Sequence, residues 1–364
     1  MANQMLKFEV LSSVSNPNSI HGLYPYRGKI SGIDAQKIIS QFNSNHTLLD
    51  PFCGSGTIVY EAQKQGMNAI GIDSNPIAIN ISKAKTELVN ISDNNKYINE
   101  ALDIIGHAKR DMETLNYSSM PSKTQTLFHP SSANEIMCVK NYFDQMSDYV
   151  KGAYFGSIAL TARGNNNYKW TSSTVGKNIE PKRYISFFDK FIMKTKKHSR
   201  FLNNSKDSKT ASILKADSRY LNKEIPDNSI DIVFTSPPYF DALDYTAYYA
   251  KLIYDIHNVD RLKIKNTLIQ SSKSYKTDME LVLHEMDRIT KDNSIIVFVV
   301  GDKKTKNEII NGGEFFSSIW KASYIEERHY SGSSSKIFDS LNKTKRKEQI
   351  VVWEKKDGEV IYYE

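Results

Sequence analysis

The chain has 364 residues, of which 40% are apolar and 24% charged, the composition of a globular protein of one or two domains. No apolar run approaches the roughly 18 residues of a membrane span, and the stretch from Met1 to Lys7 lacks a signal-peptide core, so a cytoplasmic protein without membrane contact is expected. The 48 basic and 41 acidic side chains leave a charge of +7, which favours polyanionic partners, while the two cysteines, Cys53 and Cys138, cannot build a disulfide framework and show no metal-ligand spacing.

In chain order, residues 6–11 read as a first strand. The run His21-Gly22-Leu23-Tyr24-Pro25-Tyr26-Arg27-Gly28-Lys29 is dense in turn formers and aromatics and reads as a loop that delivers polar groups onto a site. Ile33, Ile38, Ile39 and Phe42 then repeat at helical spacing, with Asp34 near the start. A strand over Thr47-Leu48-Leu49-Asp50 passes through the turn Pro51-Phe52-Cys53-Gly54-Ser55-Gly56-Thr57 into a helical pattern from Ile58. Strand, glycine turn and helix in this order build a nucleotide site. Glycines admit a ligand close to the backbone, and the unpaired N–H groups of the helix N-terminus favour a carboxylate or phosphate. Asn68-Ala69-Ile70-Gly71-Ile72-Asp73 follows as a second strand that ends in an acid. In a doubly wound fold that carboxylate accepts from ribose hydroxyls; the competing reading is a structural acid beside the helix that Ser74-Asn75-Pro76 would open.

Residues 95–210 depart from this alternation. Helices are predicted over residues 97–115, 133–149, 151–162 and 181–197, with a polar and aromatic stretch between the last two. There Tyr168, Lys169 and Trp170, beside Asn, Ser and Thr, offer stacking rings, phosphate partners and base-edge donors. The plainer reading is a helical cap that only shields the site. Lys190, Lys194, Lys196, Lys197, Arg200, Lys206 and Lys209 crowd one segment, and Lys343, Lys345, Arg346 and Lys347 another. Each run alone reads as a solvated face; together they point to phosphate contacts.

The pattern resumes with Ser212-Ile213-Leu214-Lys215-Ala216-Asp217-Ser218, a third strand ending in an acid suited to a donor group on a nucleotide. The apolar run Ile230-Asp231-Ile232-Val233-Phe234 then stops at Thr235-Ser236-Pro237-Pro238-Tyr239. Two prolines supply no backbone donor and fix their own φ, so the chain leaves the sheet as a stiff bend with outward carbonyls. An aromatic ring follows at once, and the combination suits a planar base with an exocyclic amine. Helices are predicted over residues 241–254 and 279–289, a basic polar loop over 258–277, a strand over 294–302, and a terminal hairpin of strands at 324–330 and 349–354. Strands alternating with helices argue an α/β fold with a doubly wound, mostly parallel sheet.

These motifs, in this order, resemble the S-adenosylmethionine-dependent DNA methyltransferases that modify exocyclic amines, the cytosine-N4 and adenine-N6 family, and most of all its cytosine-N4 type. The turn from Asp50 to Thr57 is similar to the family's cofactor motif, Gly71-Ile72-Asp73 to its ribose strand, Ala216-Asp217-Ser218 to the acid near the adenine, and Thr235-Ser236-Pro237-Pro238-Tyr239 to its catalytic motif. Residues 24–29 look like the element that completes the methionine pocket. The resemblance covers residues 20–90 and 211–355. It implies a seven-stranded Rossmann-like catalytic domain from residues 1–94 and 211–364, with 95–210 as a largely helical target-recognition insert. Implied cofactor contacts are Tyr26, Lys29, Asp50, Phe52, Gly54, Gly56, Thr57, Asp73, Ser74, Asp217 and Ser218. Catalysis falls to Ser236, Pro237, Pro238 and Tyr239, and DNA contact to Tyr168, Lys169, Trp170, Lys196 and Lys197, with no metal. The implied partners are S-adenosylmethionine, double-stranded DNA and, acting separately, a cognate restriction endonuclease.

The chemistry agrees with the residues. An aromatic amine is a poor nucleophile because its lone pair is delocalised into the ring. Acceptors on its two hydrogens, here Ser236 and the Pro237 carbonyl, free that lone pair for in-line attack, and positioning carries most of the barrier reduction. The target atom is hidden in a duplex, so the base must be flipped out. Methylation at cytosine C5 would need a cysteine beside a proline, and neither cysteine is so placed. Serine at 236, where adenine-specific relatives more often show Asp or Asn, favours cytosine N4 over adenine N6. A tRNA guanine-N2 methyltransferase and a non-catalytic nucleic-acid-binding module are the further alternatives, the first disfavoured by Ser236 in place of an acid, the second by intact motifs.

Overall fold

The short apolar runs pair into one eight-stranded sheet. The computed structural model describes residues 18–26, 30–90, 93, 95–114, 120–162, 183–238, 244–247, 249–304, 309–331 and 345–363. Strands β1 (Thr47–Asp50), β2 (Asn68–Asp73), β3 (Ser212–Lys215), β4 (Ile230–Thr235) and β5 (Thr290–Gly301) run parallel in the order β3-β2-β1-β4-β5. A two-stranded ladder of β6 (Lys303–Lys304) and β7 (Ile309–Ile310) stands apart. Beyond β5 the sheet turns antiparallel through β9 (Lys345–Lys356), which carries both β8 (Tyr324–Ser331) and β10 (Glu359–Ile361) on its outer edge. The doubly wound, mostly parallel sheet is the expected one, but among the described residues it has eight strands where seven were expected. Asp357 and Gly358, both at positive φ, make a tight hairpin turn that folds the last residues back as β10.

The helices are α1 (Gly32–Ile39), α2 (Thr57–Lys64), α3 (Pro76–Thr86), α4 (Lys96–Thr114), α5 (Ser122–Gln125), α6 (Pro130–Lys140), α7 (Asp148–Thr161), α8 (Phe187–Ser199), α9 (Tyr249–Ile256), α10 (Arg261–Thr267), α11 (Tyr275–Ile289) and α12 (Gly312–Ile319). One face of the sheet buries Leu48, Ile232, Phe234 and Val297 against Ile38 and Ile39 of α1 and Ile58 and Val59 of α2. The other buries Leu49, Ile72, Val233 and Phe298 against Met279, Val282 and Met286 of α11. Several boundaries differ from expectation. The helix predicted over residues 133–149 ends already at Lys140, and the one predicted from residue 151 begins at Asp148, where Ser147 caps it by accepting from the N–H of Val150. The loop predicted over 258–277 contains α10, capped by Asp260, and the helix predicted from residue 241 begins at Tyr249. The predicted strand over residues 6–11 lies outside the described residues.

Helices α4, α6, α7 and α8 form a separate layer whose core is continuous with Ile77, Ile81 and Ala84 of α3 and with Ile20 and Leu23. Its two ends are stitched together: the N–H of Val89 donates to Asn203 and the N–H of Ser205 to Val89, both at 3.0 Å. Helix α8 turns part of its basic run inward. Lys194, expected among phosphate contacts, is buried and donates to the carbonyl of Gly22 at 3.1 Å, and Nδ1–H of His198 donates to that of Ser19 at 2.8 Å. Lys196 remains exposed and Lys197 half-buried. Lys343 lies outside the described residues, and Lys345, Arg346 and Lys347 begin β9. Among the described residues no helix is long and apolar enough to cross a membrane. Helix α7 lies so close to the N-terminal segment that a Cβ at Gly156 would stand 2.0 Å from the Leu23 carbonyl. Gly156→Ala is therefore expected to cost about 2 kcal/mol, measured as a lower urea midpoint.

Candidate cofactor and target site

The site lies at the carboxyl ends of β1, β2 and β4, where the strand order reverses and doubly wound folds leave a crevice. It starts from Asp50, buried at the end of β1. Its Oδ1 accepts from the N–H of Phe52 at 3.1 Å and from the hydroxyl of Thr235 at 2.6 Å, which ties the first turn to the last residue of β4. Burial pushes the Asp50 carboxyl up to about 7 against these two donors.

The turn that follows is closed by Cys53 N–H on the Ile72 carbonyl at 2.8 Å and Gly56 N–H on that of Cys53 at 2.6 Å. Gly56 caps α2 at φ 69°, and a Cβ there would come within 2.8 Å of Ser82 Oγ, so only glycine fits both the backbone and the contact with α3. Ser82 donates to the Gly54 carbonyl at 2.9 Å, and beneath the turn the fully buried Lys85 donates to Ser55 Oγ at 3.1 Å. Asp73 closes β2 with one oxygen on the N–H of Gly54 at 2.9 Å and the other on that of Asn75 at 2.8 Å. Burial raises its carboxyl to about 6, although three backbone donors, from Asn75, Gly54 and Ser74, pull it down. Both readings of Asp73 therefore meet in one residue: it braces the start of α3 and it faces the pocket.

A pocket of about 810 Å³, counting space open to solvent, is lined by Tyr26, Asp50, Phe52, Gly54, Thr57, Asp73, Ser74, Asp217, Ser218, Ser236 and Pro238. These come from the N-terminal segment, the two βα turns, the loop after β3 and the bend after β4. The N-terminal segment is held by Lys194, by His198 and by a buried pair between His21 Nε2 and Glu61 Oε1 at 2.7 Å, and Tyr26 lies across Gly54. Ser218 donates to the Pro51 carbonyl, which fastens the loop after β3 to the glycine turn. Gly56 and Pro237 do not line the pocket: one packs on Ser82 and the other is buried in the bend. Lys29, Tyr239, Tyr168, Lys169 and Trp170 lie outside the described residues, and Lys196 and Lys197 sit in the last turn of α8.

Other lining residues escaped the sequence reading, among them Asn75, Tyr245, Leu268 and Ile269. Asn75 accepts from Ile77 N–H at 2.9 Å and from the Tyr254 hydroxyl at 2.7 Å, while its Nδ2 is buried without a partner among the described residues. Its place before Pro76 was legible as a cap; its reach into the pocket was not. An orphaned donor and two carboxylates with lone pairs to spare suit a ligand carrying both hydroxyl and acceptor groups. The residues present thus fit an adenosine-type cofactor.

Residues 35–84, from α1 to α3, match the model of the N6/N4 DNA methylase family. The chain is 22% identical to Type II methyltransferase M.MjaII of Methanocaldococcus jannaschii, with 82% of this chain aligned to 75% of that one. It is 25% identical to M.MvaI of Kocuria varians, over 76% of this chain and 65% of the relative, and 25% identical to M.BsoBI of Geobacillus stearothermophilus, over 85% and 66%. Among solved structures, a SAM-dependent methyltransferase from Methanosarcina mazei aligns with 88% of this chain and 96% of its own, at 10% identity and a TM-score of 0.37. Motif order, the family match over residues 35–84 and the curated relatives all liken the chain to the N6/N4 DNA methylases.

Proposed function

We propose that the chain methylates the N4 amine of cytosine in duplex DNA, at a specific site and on a base flipped out of the helix. The observation that carries this reading is that one pocket is lined both by the glycine turn with Asp73 and by Ser236 and Pro238 of the bend. That lining supports a cofactor and a target amine meeting in a single cavity.

When bound, S-adenosylmethionine supplies an electrophilic sulfonium methyl group. Asp73 would accept from the cofactor's ribose hydroxyls and Asp217 from its adenine amine, and Tyr26 and Asp50, which line the same pocket, would hold its amino-acid end. The hydroxyl of Ser236, which lines the pocket, would accept a hydrogen bond from one hydrogen of the target amine, and the Pro237 carbonyl, buried in the bend, would accept from the other once the bend turns it toward the base. That draws the nitrogen toward tetrahedral geometry and directs its lone pair along the attack line. Tyr239, outside the described residues, is assigned the stacking role by its place in the motif. No strong base is required, since the amine becomes acidic only as the methyl group arrives. Cytosine C5 chemistry finds no support: Cys53 is buried and its thiol is pushed well up by burial and by Asp73 and Asp50, and burial carries Cys138 up to about 11. Helices α4 to α8, as the target-recognition insert, would lay Lys196 and Lys197 against phosphates.

The decisive experiment is nucleoside chromatography of DNA treated with the purified chain and S-adenosylmethionine. N4-methylcytosine is expected; N6-methyladenine would move the assignment to adenine. Ser236→Ala should spare cofactor binding and cut methyl transfer by about a hundredfold, the scale of losing one oriented hydrogen-bonding group in the transition state; a wild-type rate would remove Ser236 from the mechanism.

Asp73→Ala should raise the cofactor Kd by about tenfold or more, the loss of charge-assisted hydrogen bonds, with a smaller effect on turnover. The pH dependence has opposite signs for binding and for stability. A protonated Asp73 gives up an acceptor, so cofactor Kd should rise as pH falls through about 6, and in Asp73→Asn the remaining dependence should come from Asp50, shifted below its native value of about 7 because the Asp73 charge that helps raise it is gone. For stability, both carboxyls sit above their ordinary 3.8, so the folded chain holds these protons more tightly than the unfolded one. The ligand-free chain should therefore gain stability from these groups as pH falls from about 8 toward 4, which calorimetry at a series of pH values would read.

Neutralising Lys196 and Lys197 together should weaken DNA binding and lower the slope of log K against log salt by about 2. An unaltered slope would leave both as surface charge.

A further inference from the structure

We propose that the first turn of α11 is a positioning latch for methyl transfer, in which Tyr275 sets the prolyl bend and Asp278, through Arg219, sets Asp217. The inference rests on the functional reading above and extends it to residues that do not line the pocket.

The bend has one soft torsion at its exit. The rings of Pro237 and Pro238 fix both φ angles, so the remaining freedom is in ψ, which aims each carbonyl. Tyr275 removes it at the second proline: its hydroxyl donates to the Pro238 carbonyl, while its ring is buried and packs against Phe315 with centroids 5.6 Å apart. The hydroxyl of Ser236 and the Pro237 carbonyl lie immediately upstream of that pinned group. This arm of the latch therefore acts on the geometry of the acceptors and not on Asp217.

Three residues on, one helical turn away, Asp278 makes the second attachment. Its Oδ2 accepts from Ser274 Oγ at 2.9 Å and its Oδ1 from Arg219 Nη1 at 2.7 Å. The rest of the Arg219 fork grips Asp217, with Nη2 on Oδ2 at 2.6 Å and Nε on Oδ1 at 2.9 Å, and the Arg219 N–H adds to the same Oδ1 at 3.1 Å. A carboxylate so engaged has its plane fixed and few acceptor directions left, so Asp217 meets an incoming amine in one orientation. Further along α11, Glu285 takes the N–H of Leu221 at 2.6 Å and Arg288 donates to the Ile225 carbonyl at 3.3 Å. The helix thus holds the whole loop after β3 as well as the bend after β4.

The two arms separate kinetically. With tritiated S-adenosylmethionine and unmethylated genomic duplex DNA, Tyr275→Phe should lower kcat by about three- to tenfold, the loss of one neutral hydrogen bond, with cofactor Kd unchanged. Arg219→Gln should raise cofactor Kd by about tenfold at unchanged kcat under saturating cofactor, and Arg219→Lys, which keeps the charge but not the fork, should recover part of the loss. Asp278→Asn should repeat the Arg219→Gln pattern more weakly. Thermal melts of each variant accompany the assays.

Wild-type kcat in Tyr275→Phe overturns the latch, as does an equal loss in kcat and cofactor affinity alongside a lowered melting temperature, which would make Tyr275 a folding residue only. If Tyr275→Phe does not fold, the Arg219 and Asp278 variants decide. A wild-type chain that binds cofactor but methylates no DNA overturns the functional reading instead, and the Arg219 arm, read by cofactor titration, then decides the latch alone.

Discussion

One carboxylate is shared between two turns. Asp73 receives the N–H of Gly54 on one oxygen and that of Asn75 on the other, so a single charged group orders both the glycine turn after β1 and the start of α3. Burying a carboxylate is costly, and the upward shift of its proton affinity measures what the backbone donors fail to offset. The surrounding groups leave it little room to relax. Ser82 holds the Gly54 carbonyl, Cys53 is tied back to Ile72, and Lys85 props Ser55 from below. The floor of the pocket is therefore a polar framework built before any ligand arrives, and further donors from a ligand would complete the solvation that folding removed.

What was legible in the sequence is what is encoded locally. The glycine turn, the acids ending β2 and β3, and the Pro-Pro bend each depend on a few adjacent residues whose backbone preferences are strong, and the structure brings residues of all four to one pocket. What was hidden depends on partners far away in the chain. Asn75 announces itself as a helix cap, yet its buried amide and its bond from Tyr254, 179 positions on, follow only from the fold. Lys194 read as one more charge in a basic run; periodicity does not say which way a helix faces, and this one faces Gly22. Tyr275 and Arg219 carry no motif, and their importance lies in what they touch.

Boundaries failed for equally physical reasons. A single serine, Ser147, moved the start of α7 ahead of the predicted one, because its hydroxyl satisfies an amide at the new helix N-terminus. An Asp-Gly pair added a strand beyond those expected, since both residues adopt positive φ without penalty to the hairpin. In each case the deciding signal was one or two residues long and was outweighed by the longer pattern around it.

The stitching of Val89 to Asn203 and Ser205 bears on how such a chain can change over time. The segment of more than a hundred residues between those points leaves the sheet and comes back within two hydrogen bonds of its departure, so β2 and β3 feel its presence but not its length. Closing a longer or shorter excursion adds only a slowly growing entropy. Whole helices could be lost, gained or swapped there while the paired strands and the pocket above them keep their register, which makes this junction a natural seam for exchanging one module for another.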